Sequence, residues 1–357
     1  MGPLIVRHDD PFNAGPPLDV LCQSDITPTE LFFVRNHGDV PQIVPDTYRF
    51  TIEGAPRALS LSLADLRRQF TPVTVAATLQ CAGNRRQELM AYQPIPGELG
   101  WDEAAISHAT WRGVCLRDVL LAAGIEQDDR AWHVAFEGFD QTERLNCTFN
   151  FGGSIPIEKA LNPEVILAYE MNDAPLTAQH GFPLRVVVPG YIGARSVKWL
   201  KRIVVQAVPS ANYFQAQAYR LFAPQVTPDN VDWNSGLMLG EMSVNAVIGT
   251  PANGAELPAG SIEVRGYAIA GGDRRVARVD LSLDEGRSWI TADLGGDDQP
   301  WTWRLWSARL NLAPGEHTLI ARAIDSAANT QPEAISSVWN FKGYMNNAWH
   351  RVQLTVC

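Results

Sequence analysis

Helical periodicity disappears from this sequence after the proline-bearing segment APQVTPDNVDW at 223–233. Beyond it, short strand-like runs alternate with turn residues about every eight to twelve positions, which is typical of a β-sandwich. The predicted strands lie at 262–271, 301–310, 317–325 and 336–341, with a hairpin at 276–294 that turns at DEG. We therefore predict a boundary near residue 230 and a β-sandwich domain over residues 231–357.

The first 230 residues mix strand and helix patterns without a regular βαβ order. Helices are predicted at 62–70, which begins with a serine cap, and at 116–124, which ends at a glycine. Strands are predicted at 48–54, 72–80, 131–138, 165–171, 184–190 and 199–208. The first 30 residues are rich in proline and polar residues and predict an extended arm. These patterns indicate an α+β domain over residues 1–230.

Composition excludes several classes of partner. The chain has 29 basic and 39 acidic residues, a net charge of −10, which argues against a nucleic-acid or anionic-membrane surface. No apolar run approaches the roughly 20 residues that span a bilayer, and the first residues lack the layout of a secretory signal. Five scattered cysteines without a CxxC pair fit a reducing compartment. We expect a cytoplasmic protein.

The stretch TLQCAGNRR (78–86) places Cys81 at the edge of an apolar run, immediately before a turn and two arginines. A buried structural thiol is the ordinary role of a free cysteine. Arg85 and Arg86, however, favour a thiolate, which is the form that binds soft metals. A nucleophilic cysteine hydrolase is a further alternative, and it requires a partner histidine that the sequence does not identify.

Two other segments place basic residues near glycines or polar turns. In FFVRNHGDVP (32–41), Arg35 and His37 are two residues apart, so both point to one side of an extended chain. The segment at 180–199 carries four basic residues around a strand and a glycine-rich loop, where backbone N–H groups can approach phosphate. A buried strand with a solvated basic rim is the alternative, but the clustering in an acidic protein favours an anion site.

Together, VRNHG (34–38), TLQCAGNRR (78–86) and HGFPLRVVVPGYIGARSVKW (180–199) resemble the sulfite oxidase family of molybdenum enzymes. The segments WDEAAIS, LAYEMN and NAWHRV strengthen the resemblance, which extends over nearly the whole chain. It implies a mixed α/β molybdopterin-binding domain over residues 1–230, with one molybdenum-molybdopterin cofactor per chain. An immunoglobulin-like β-sandwich over residues 231–357 is expected to form a homodimer.

The resemblance also implies roles for single residues. Cys81 is expected to be the one protein ligand of molybdenum. Arg35 and Arg86 are expected to bind the oxyanion, Trp101 to form a wall of the pocket, and Tyr219 to move protons beside the metal. Lys342 stands where animal and plant sulfite oxidases usually have a third arginine. The residues expected to bind the pterin and its phosphate are His37, Asp140, His180, Arg185, Arg195, Ser196 and Lys198.

The implied reaction is the oxidation of sulfite to sulfate, with two electrons passing from molybdenum to an external acceptor. The sequence shows no HPGG motif of a cytochrome b5 domain, so we expect no haem. Oxygen or a separate cytochrome is the expected acceptor. A nitrate reductase-like molybdenum domain is the alternative enzyme, which the lysine at 342 leaves open. A non-catalytic binding or dimerisation protein is the alternative from another class.

Overall fold

The structure is a computed structural model that describes residues 3–125, 133–144 and 146–357. Its α-helices are short, and no described helix is long and apolar enough to cross a membrane. They are α1 (Leu18–Leu21), α2 (Leu63–Gln69), α3 (Arg86–Tyr92), α4 (Leu116–Ala122) and α5 (Ile157–Ala160). Single 3₁₀ turns lie at Thr29–Leu31, Ala178–His180, Gly193–Arg195 and Ile335–Ser337, and a π-helical turn lies at Phe214–Ala218.

The first part of the chain is built on two five-stranded sheets. Its strands are β1 (Ile5–His8), β2 (Asn13–Gly15), β3 (Arg49–Glu53), β4 (Leu59–Ser62), β5 (Pro72–Gln80), β6 (Ile106–Cys115), β7 (His133–Arg144), β8 (Cys147–Pro156), β9 (Ile166–Met171), β10 (Ala174–Pro175), β11 (Arg185–Val187), β12 (Leu200–Gln206), β13 (Arg220–Leu221) and β14 (Leu237–Met238). One sheet has the order β4-β3-β12-β7-β8, and the other has β10-β9-β6-β5 with β11 paired to β9. Strand β12 runs parallel to β3 and antiparallel to β7. The mixed pairing confirms the α+β prediction.

The last part of the chain consists of two further sheets. The strands are β15 (Asn245–Thr250), β16 (Ala255–Leu257), β17 (Gly260–Ile269), β18 (Val276–Ser282), β19 (Ile290–Thr291), β20 (Asp293–Leu294), β21 (Arg304–Leu312), β22 (Gly315–Asp325) and β23 (His350–Val356). One sheet has the order β15-β17-β21-β20, and the other has β16-β23-β22-β18-β19. Buried residues of both sheets form one apolar cluster, so the predicted β-sandwich is present.

Several local predictions agree with the structure because the local chemistry is strong. Ser62 caps α2, and its hydroxyl accepts from the N–H of Asp65 while the Asp65 carboxylate accepts from the N–H of Ser62. Strand β5 spans the predicted 72–80, and its last four residues are buried. The predicted strand at 131–138 is present from His133, whereas residues 131 and 132 lie outside the described residues.

Two predictions are wrong. The segment at 336–341 is not a strand, because its apolar residues pack onto α3: Trp339 forms a small buried cluster with Leu89 and Ile95. The first 30 residues are not a simple extended arm, because β1 and β2 pair as a hairpin. The backbone of Ala14 in β2 also exchanges hydrogen bonds with Val34, which fixes the hairpin against the segment that carries Arg35.

The loop after β5 is held by residues from the last part of the chain. The Met345 N–H donates to the Ala82 carbonyl, and the Asn84 side chain donates to the hydroxyl of Tyr267 in β17. Arg85, which has a left-handed φ of 63°, turns its guanidinium away from Cys81 and is completely buried. The predicted contribution of Arg85 to a thiolate at Cys81 is therefore not supported by its orientation.

All three nitrogens of the Arg85 guanidinium donate hydrogen bonds. It donates to both carboxylate oxygens of Glu88 at 2.6 and 2.7 Å, to Asn245 Oδ1 at 2.7 Å and to the Ala348 carbonyl at 2.9 Å. Two of these partners belong to the last part of the chain. Arg85 therefore fastens the 81–86 loop to the β-sandwich.

We expect Arg85→Met to lower the free energy of unfolding by about 3 kcal/mol, because it leaves partly buried acceptors without a donor. Arg68→Met is the matched control, since Arg68 also pairs with a carboxylate three residues away but is 67% exposed. That control should cost no more than about 1 kcal/mol. Urea unfolding of both variants measures the difference, and equal losses would contradict the role of Arg85.

Candidate active site

A narrow inner cavity of about 70 Å³ lies where the 81–86 loop meets the segments at 32–37 and 180–199. A wider outer cavity of about 510 Å³ adjoins it, and Arg35, Asn36 and His37 line both. The structure brings together in the inner cavity most of the residues predicted for the site: Arg35, His37, Cys81, Asp140, His180, Arg185, Ser196, Lys198 and Tyr219. Residues from five separate segments therefore converge here.

Cys81 is placed by the end of β5. Its N–H donates to the Ala105 carbonyl at 2.9 Å, which fixes the backbone as the strand gives way to the loop. The side chain is 6% exposed and lines the inner cavity, where its sulfur accepts a 3.4 Å hydrogen bond from the N–H of Gly83. Among the described residues of the cavity, it is the one thiol that can serve as a soft-metal ligand.

Arg35 is positioned by the N-terminal hairpin. Its Nη1 donates to Asn13 Oδ1 at 3.1 Å, and the same oxygen accepts from the N–H of Asn36 at 2.9 Å. Asn13 is the first residue of β2 and is buried. The segment predicted as an arm thus supports a residue of the site, a role that its composition did not indicate.

His37 connects Arg35 with Tyr219. Arg35 Nη2 donates to His37 Nδ1 at 3.2 Å, and His37 Nε2 lies 2.7 Å from the Tyr219 hydroxyl. Burial, followed by the charge of Arg35, holds the pKa of His37 well below its usual value, so the ring is neutral. A neutral imidazole that accepts at Nδ1 carries its hydrogen on Nε2 and donates it to the tyrosine oxygen. The Tyr219 hydrogen therefore remains available to an acceptor in the inner cavity.

Three of the predicted cofactor residues, Arg185, His180 and Lys198, are basic and strongly desolvated. Arg185 donates to the carbonyls of His180 and Ser196 at 2.9 and 3.1 Å, and burial lowers its pKa to about 9. Burial and the charge of Arg185 lower the pKa of Lys198. The pKa of His180 falls to about 3 because of burial and the charge of Lys198. His180 is therefore neutral at pH 7, whereas Arg185 and Lys198 are buried close enough for the charge of one to disfavour that of the other, a repulsion that an anionic ligand would relieve.

Asp140 is the one carboxylate among the described residues that line the inner cavity. Burial raises its pKa to about 7, and its Oδ1 has no hydrogen-bond partner. Ser196 offers a hydroxyl that already accepts from the N–H of Val188 at 3.0 Å. Asp140 can therefore accept from a ligand, and Ser196 retains a hydroxyl hydrogen that can be donated to one.

Four predicted residues lie outside the inner cavity. Arg195 is buried behind it, where Nε and Nη2 donate to the Leu239 carbonyl and Nη1 has no partner. Trp101 lines neither cavity, because its fully buried ring packs edge-on against Phe33. The predicted wall position of Trp101 stays a prediction, since the ring reaches the inner cavity only through Phe33. The intervening Phe33 ring lines the inner cavity.

Arg86 and Lys342 meet beside the outer cavity. Arg86 donates from Nε to the Gly343 carbonyl at 2.9 Å and from Nη1 to the Leu99 carbonyl at 2.8 Å. Lys342 lines the outer cavity and forms an ion pair with Glu98. Arg86 is buried and lines neither cavity, and its guanidinium lies against Gly83, whose N–H donates to Cys81. Lys342 lines only the outer cavity.

Sequence reasoning did not identify Glu98 or Tyr344. Tyr344 stacks on Tyr219 with ring centroids 5.2 Å apart, and burial followed by the charge of Glu98 raises its pKa. Its spacing of two residues from Lys342 is a weak signal for a shared surface. Glu98 lies in a loop, and only the fold brings it to Lys342, 244 residues away along the chain.

The residues present fit a molybdopterin cofactor. A single soft sulfur ligand faces a cavity lined by Arg35, Arg185 and Lys198, which suits an anionic group with a soft metal. The buried Asp140 Oδ1 has no hydrogen-bond partner and can accept from N–H groups of a pterin.

Comparisons with known proteins agree with this arrangement. The family model described as "Oxidoreductase molybdopterin binding domain" matches residues 37–214, and "Mo-co oxidoreductase dimerisation domain" matches residues 237–357. Sulfite oxidase of Gallus gallus is 45% identical, covering 98% of this chain and 77% of that protein. The nitrate reductase [NAD(P)H] of Hordeum vulgare is 38% identical, covering 99% of this chain and 42% of that protein.

A solved structure extends the comparison to the fold. Sulfane dehydrogenase SoxCD from Paracoccus pantotrophus superposes with a TM-score of 0.81 and 26% identity, covering 95% of this chain and 83% of that chain. The animal sulfite oxidases that the chain matches are longer, and it spans 62% to 77% of their length.

The raised pKa of Asp140 predicts a pH-dependent stability for the cofactor-free protein. The carboxyl ionises near pH 3.8 in the unfolded chain and near pH 7 in the folded one. The stability contributed by the protonated Asp140 is therefore fully present below pH 3.8 and is lost as the pH rises to about 7. Asp140→Asn should therefore unfold with nearly wild-type free energy near pH 4 and be more stable than wild type above about pH 7. Urea unfolding at both pH values tests this, and a pH-independent difference would contradict it.

Proposed function

This chain belongs to the sulfite oxidase family of molybdopterin enzymes, and on that basis we propose that it oxidises sulfite to sulfate. The observation that carries the proposal is Cys81, a single soft ligand in a cationic cavity that also holds Arg35 and Tyr219. When bound, the molybdenum cofactor supplies the two-electron redox change. The two electrons then pass to an external acceptor, oxygen or a separate cytochrome.

In this proposal the inner cavity holds the cofactor. Cys81 is the metal ligand, and the N–H of Gly83 stabilises its thiolate. Lys198, Arg185 and His180 hold the phosphate end, which compensates the repulsion among these desolvated groups. Asp140 and Ser196 bind polar atoms of the pterin, and His37 is shared with Tyr219. Arg195 acts from behind, through its unpartnered Nη1.

The oxyanion is bound by cations from both parts of the chain. Arg35 lines both cavities, so it can meet an anion that enters from the outer one. Lys342 offers a second charge at the mouth, and Arg86 a third, held by two backbone carbonyls. Because these groups are fixed before the anion arrives, they stabilise its charge with little reorganisation.

Tyr219 is proposed to move a proton at its hydroxyl. Sulfite oxidation consumes water and releases protons, and Tyr219 lines the cavity with its hydrogen free from His37. Burial raises the pKa of Tyr219, so the phenol is a donor throughout the neutral range. Arg35 and His37 fix the hydroxyl in place.

The last part of the chain is proposed to be an immunoglobulin-like dimerisation domain over residues 231–357, with the molybdopterin-binding domain over residues 1–230. The match to a Mo-co dimerisation domain supports a homodimer. A cytoplasmic location is part of the proposal and rests on five cysteines that remain unpaired.

Reduction of nitrate is the second candidate, because the barley nitrate reductase matches nearly the whole chain. In this chain Lys342 is paired with Glu98, whereas animal and plant sulfite oxidases usually have a third arginine at this position. Sulfite-dependent reduction of ferricyanide is expected from the molybdenum-loaded protein. Oxidation of a reduced dye by nitrate, without sulfite turnover, would replace the first proposal with the second.

We expect Cys81→Ser to lower the rate of sulfite oxidation at least about 10²-fold, because even changes to residues that only support a metal ligand lower activity about 10- to 100-fold. Wild-type protein made in a host that synthesises molybdopterin should contain about one molybdenum per chain by elemental analysis, as one metal-binding thiol predicts. Cys115→Ser is the control, since Cys115 is also buried but donates to the Pro163 carbonyl away from both cavities. Wild-type turnover in Cys81→Ser, with the fold retained by circular dichroism, would exclude ligation by Cys81.

Tyr219→Phe should lower kcat by about 10²-fold while changing KM for sulfite less, because it removes a positioned proton donor. Tyr169→Phe serves as the control, since Tyr169 is buried but lines neither cavity. Steady-state kinetics at several pH values measures both effects. An unchanged kcat would remove Tyr219 from the proton transfer.

A further inference from the structure

A carboxylate stands among the cations at the mouth of the proposed site. Glu98 lines the outer cavity next to Gly97 and Leu99. Its Oε1 pairs with Lys342, and its Oε2 lies 3.6 Å from Arg86 Nη1. The Glu98 and Lys342 side chains are 18% and 15% exposed, so both are shielded from most solvent.

No other carboxylate in the described residues forms an ion pair with Arg86 or Lys342. The remaining strong partners of Arg86 are the neutral carbonyls of Gly343 and Leu99. One side chain thus supplies the negative charge for two cations that an oxyanion would otherwise neutralise. The carboxylate of Glu98 has the same sign as sulfite and sulfate and takes the same kind of hydrogen bonds from a lysine.

We propose that Glu98 determines the anion affinity of the site by competing with the oxyanion for Lys342 and Arg86. The inference rests on the proposed function, since it treats the outer cavity as the entrance for sulfite. A bound dianion must either displace Glu98 from Lys342 or lie beside a like charge. Both arrangements weaken binding, and both favour release of the sulfate product.

The size of the effect follows from burial. A fully exposed ion pair contributes little, whereas this pair is mostly shielded and faces a cavity, so we expect more than a surface pair would give. Removing the charge of Glu98 should tighten sulfate binding about tenfold, which corresponds to about 1.4 kcal/mol. Because the effect is electrostatic, added sodium chloride should reduce it.

The test is a titration of sulfate into the molybdenum-loaded full chain by isothermal calorimetry. Glu98→Gln, which keeps the shape of the side chain, should bind sulfate about tenfold more tightly than wild type. Glu170→Gln is a matched control, because Glu170 is 19% exposed and also bridges two cations, Arg67 and Arg112, but lines neither cavity. The control should bind sulfate as wild type does.

A second variant keeps the inference testable if Glu98→Gln alters the fold. Lys342→Met should lower sulfate affinity, and adding Glu98→Gln to it should recover less than the gain seen in wild type. Equal sulfate affinity in wild type and Glu98→Gln, or an equal gain in Glu170→Gln, would overturn the role of Glu98.

The calorimetric titration does not require turnover. If the loaded protein binds sulfate but fails to oxidise sulfite, the proposed reaction is wrong while the competition by Glu98 is still measured. If it oxidises sulfite and Glu98→Gln leaves KM and sulfate inhibition unchanged, only the present inference fails. In a protein that oxidises sulfite, the inference further expects KM for sulfite and the inhibition constant of sulfate to fall together in Glu98→Gln.

Discussion

The buried guanidinium of Arg85 is the contact on which the geometry of the site depends. It ties α3 through Glu88 to β15 through Asn245, and thereby fixes the loop that carries Cys81. A buried charge is tolerated when it is paired and hydrogen-bonded, and Arg85 pairs with the Glu88 carboxylate and donates from all three of its nitrogens. The loop therefore cannot shift independently of the β-sandwich. Contacts from both parts of the chain fix the position of the proposed metal ligand.

The inner cavity differs from the surroundings of Arg85, because some of its buried polar groups lack hydrogen-bond partners. Arg185 and Lys198 are buried with one carboxylate, Asp140, whose Oδ1 has no partner. Protein interiors avoid such arrangements unless a ligand completes them. The protein stores an unfavourable charge distribution in the cavity, which an anionic cofactor relieves. The same two groups, Arg85 and the cavity cations, thus show how one fold uses buried charge for rigidity and for binding.

The sequence predicted the elements whose signals are local. Helix α2 has its capping box, β5 has its apolar run, and the motif around Cys81 identified the proposed ligand. It did not predict which way a side chain turns: Arg85 and Arg86 are adjacent, yet one faces the β-sandwich and the other approaches the outer cavity. It also missed Asn13 and Glu98, because their partners are distant along the chain. The apolar residues at 336–341 predicted a strand that is not present, because packing onto a helix and pairing in a sheet require similar side chains.

The mouth of the outer cavity combines Glu98 from the first part of the chain with Lys342 and Tyr344 from the segment before β23. That segment also supports the inner cavity, because the Met345 N–H donates to the Ala82 carbonyl and Tyr344 stacks on Tyr219. It lies within the residues that match a Mo-co dimerisation domain. A substitution in the turn at 341–346 therefore alters the anion entrance and the support of the metal-binding loop together, so anion selectivity and cofactor retention are coupled through one short stretch of the polypeptide.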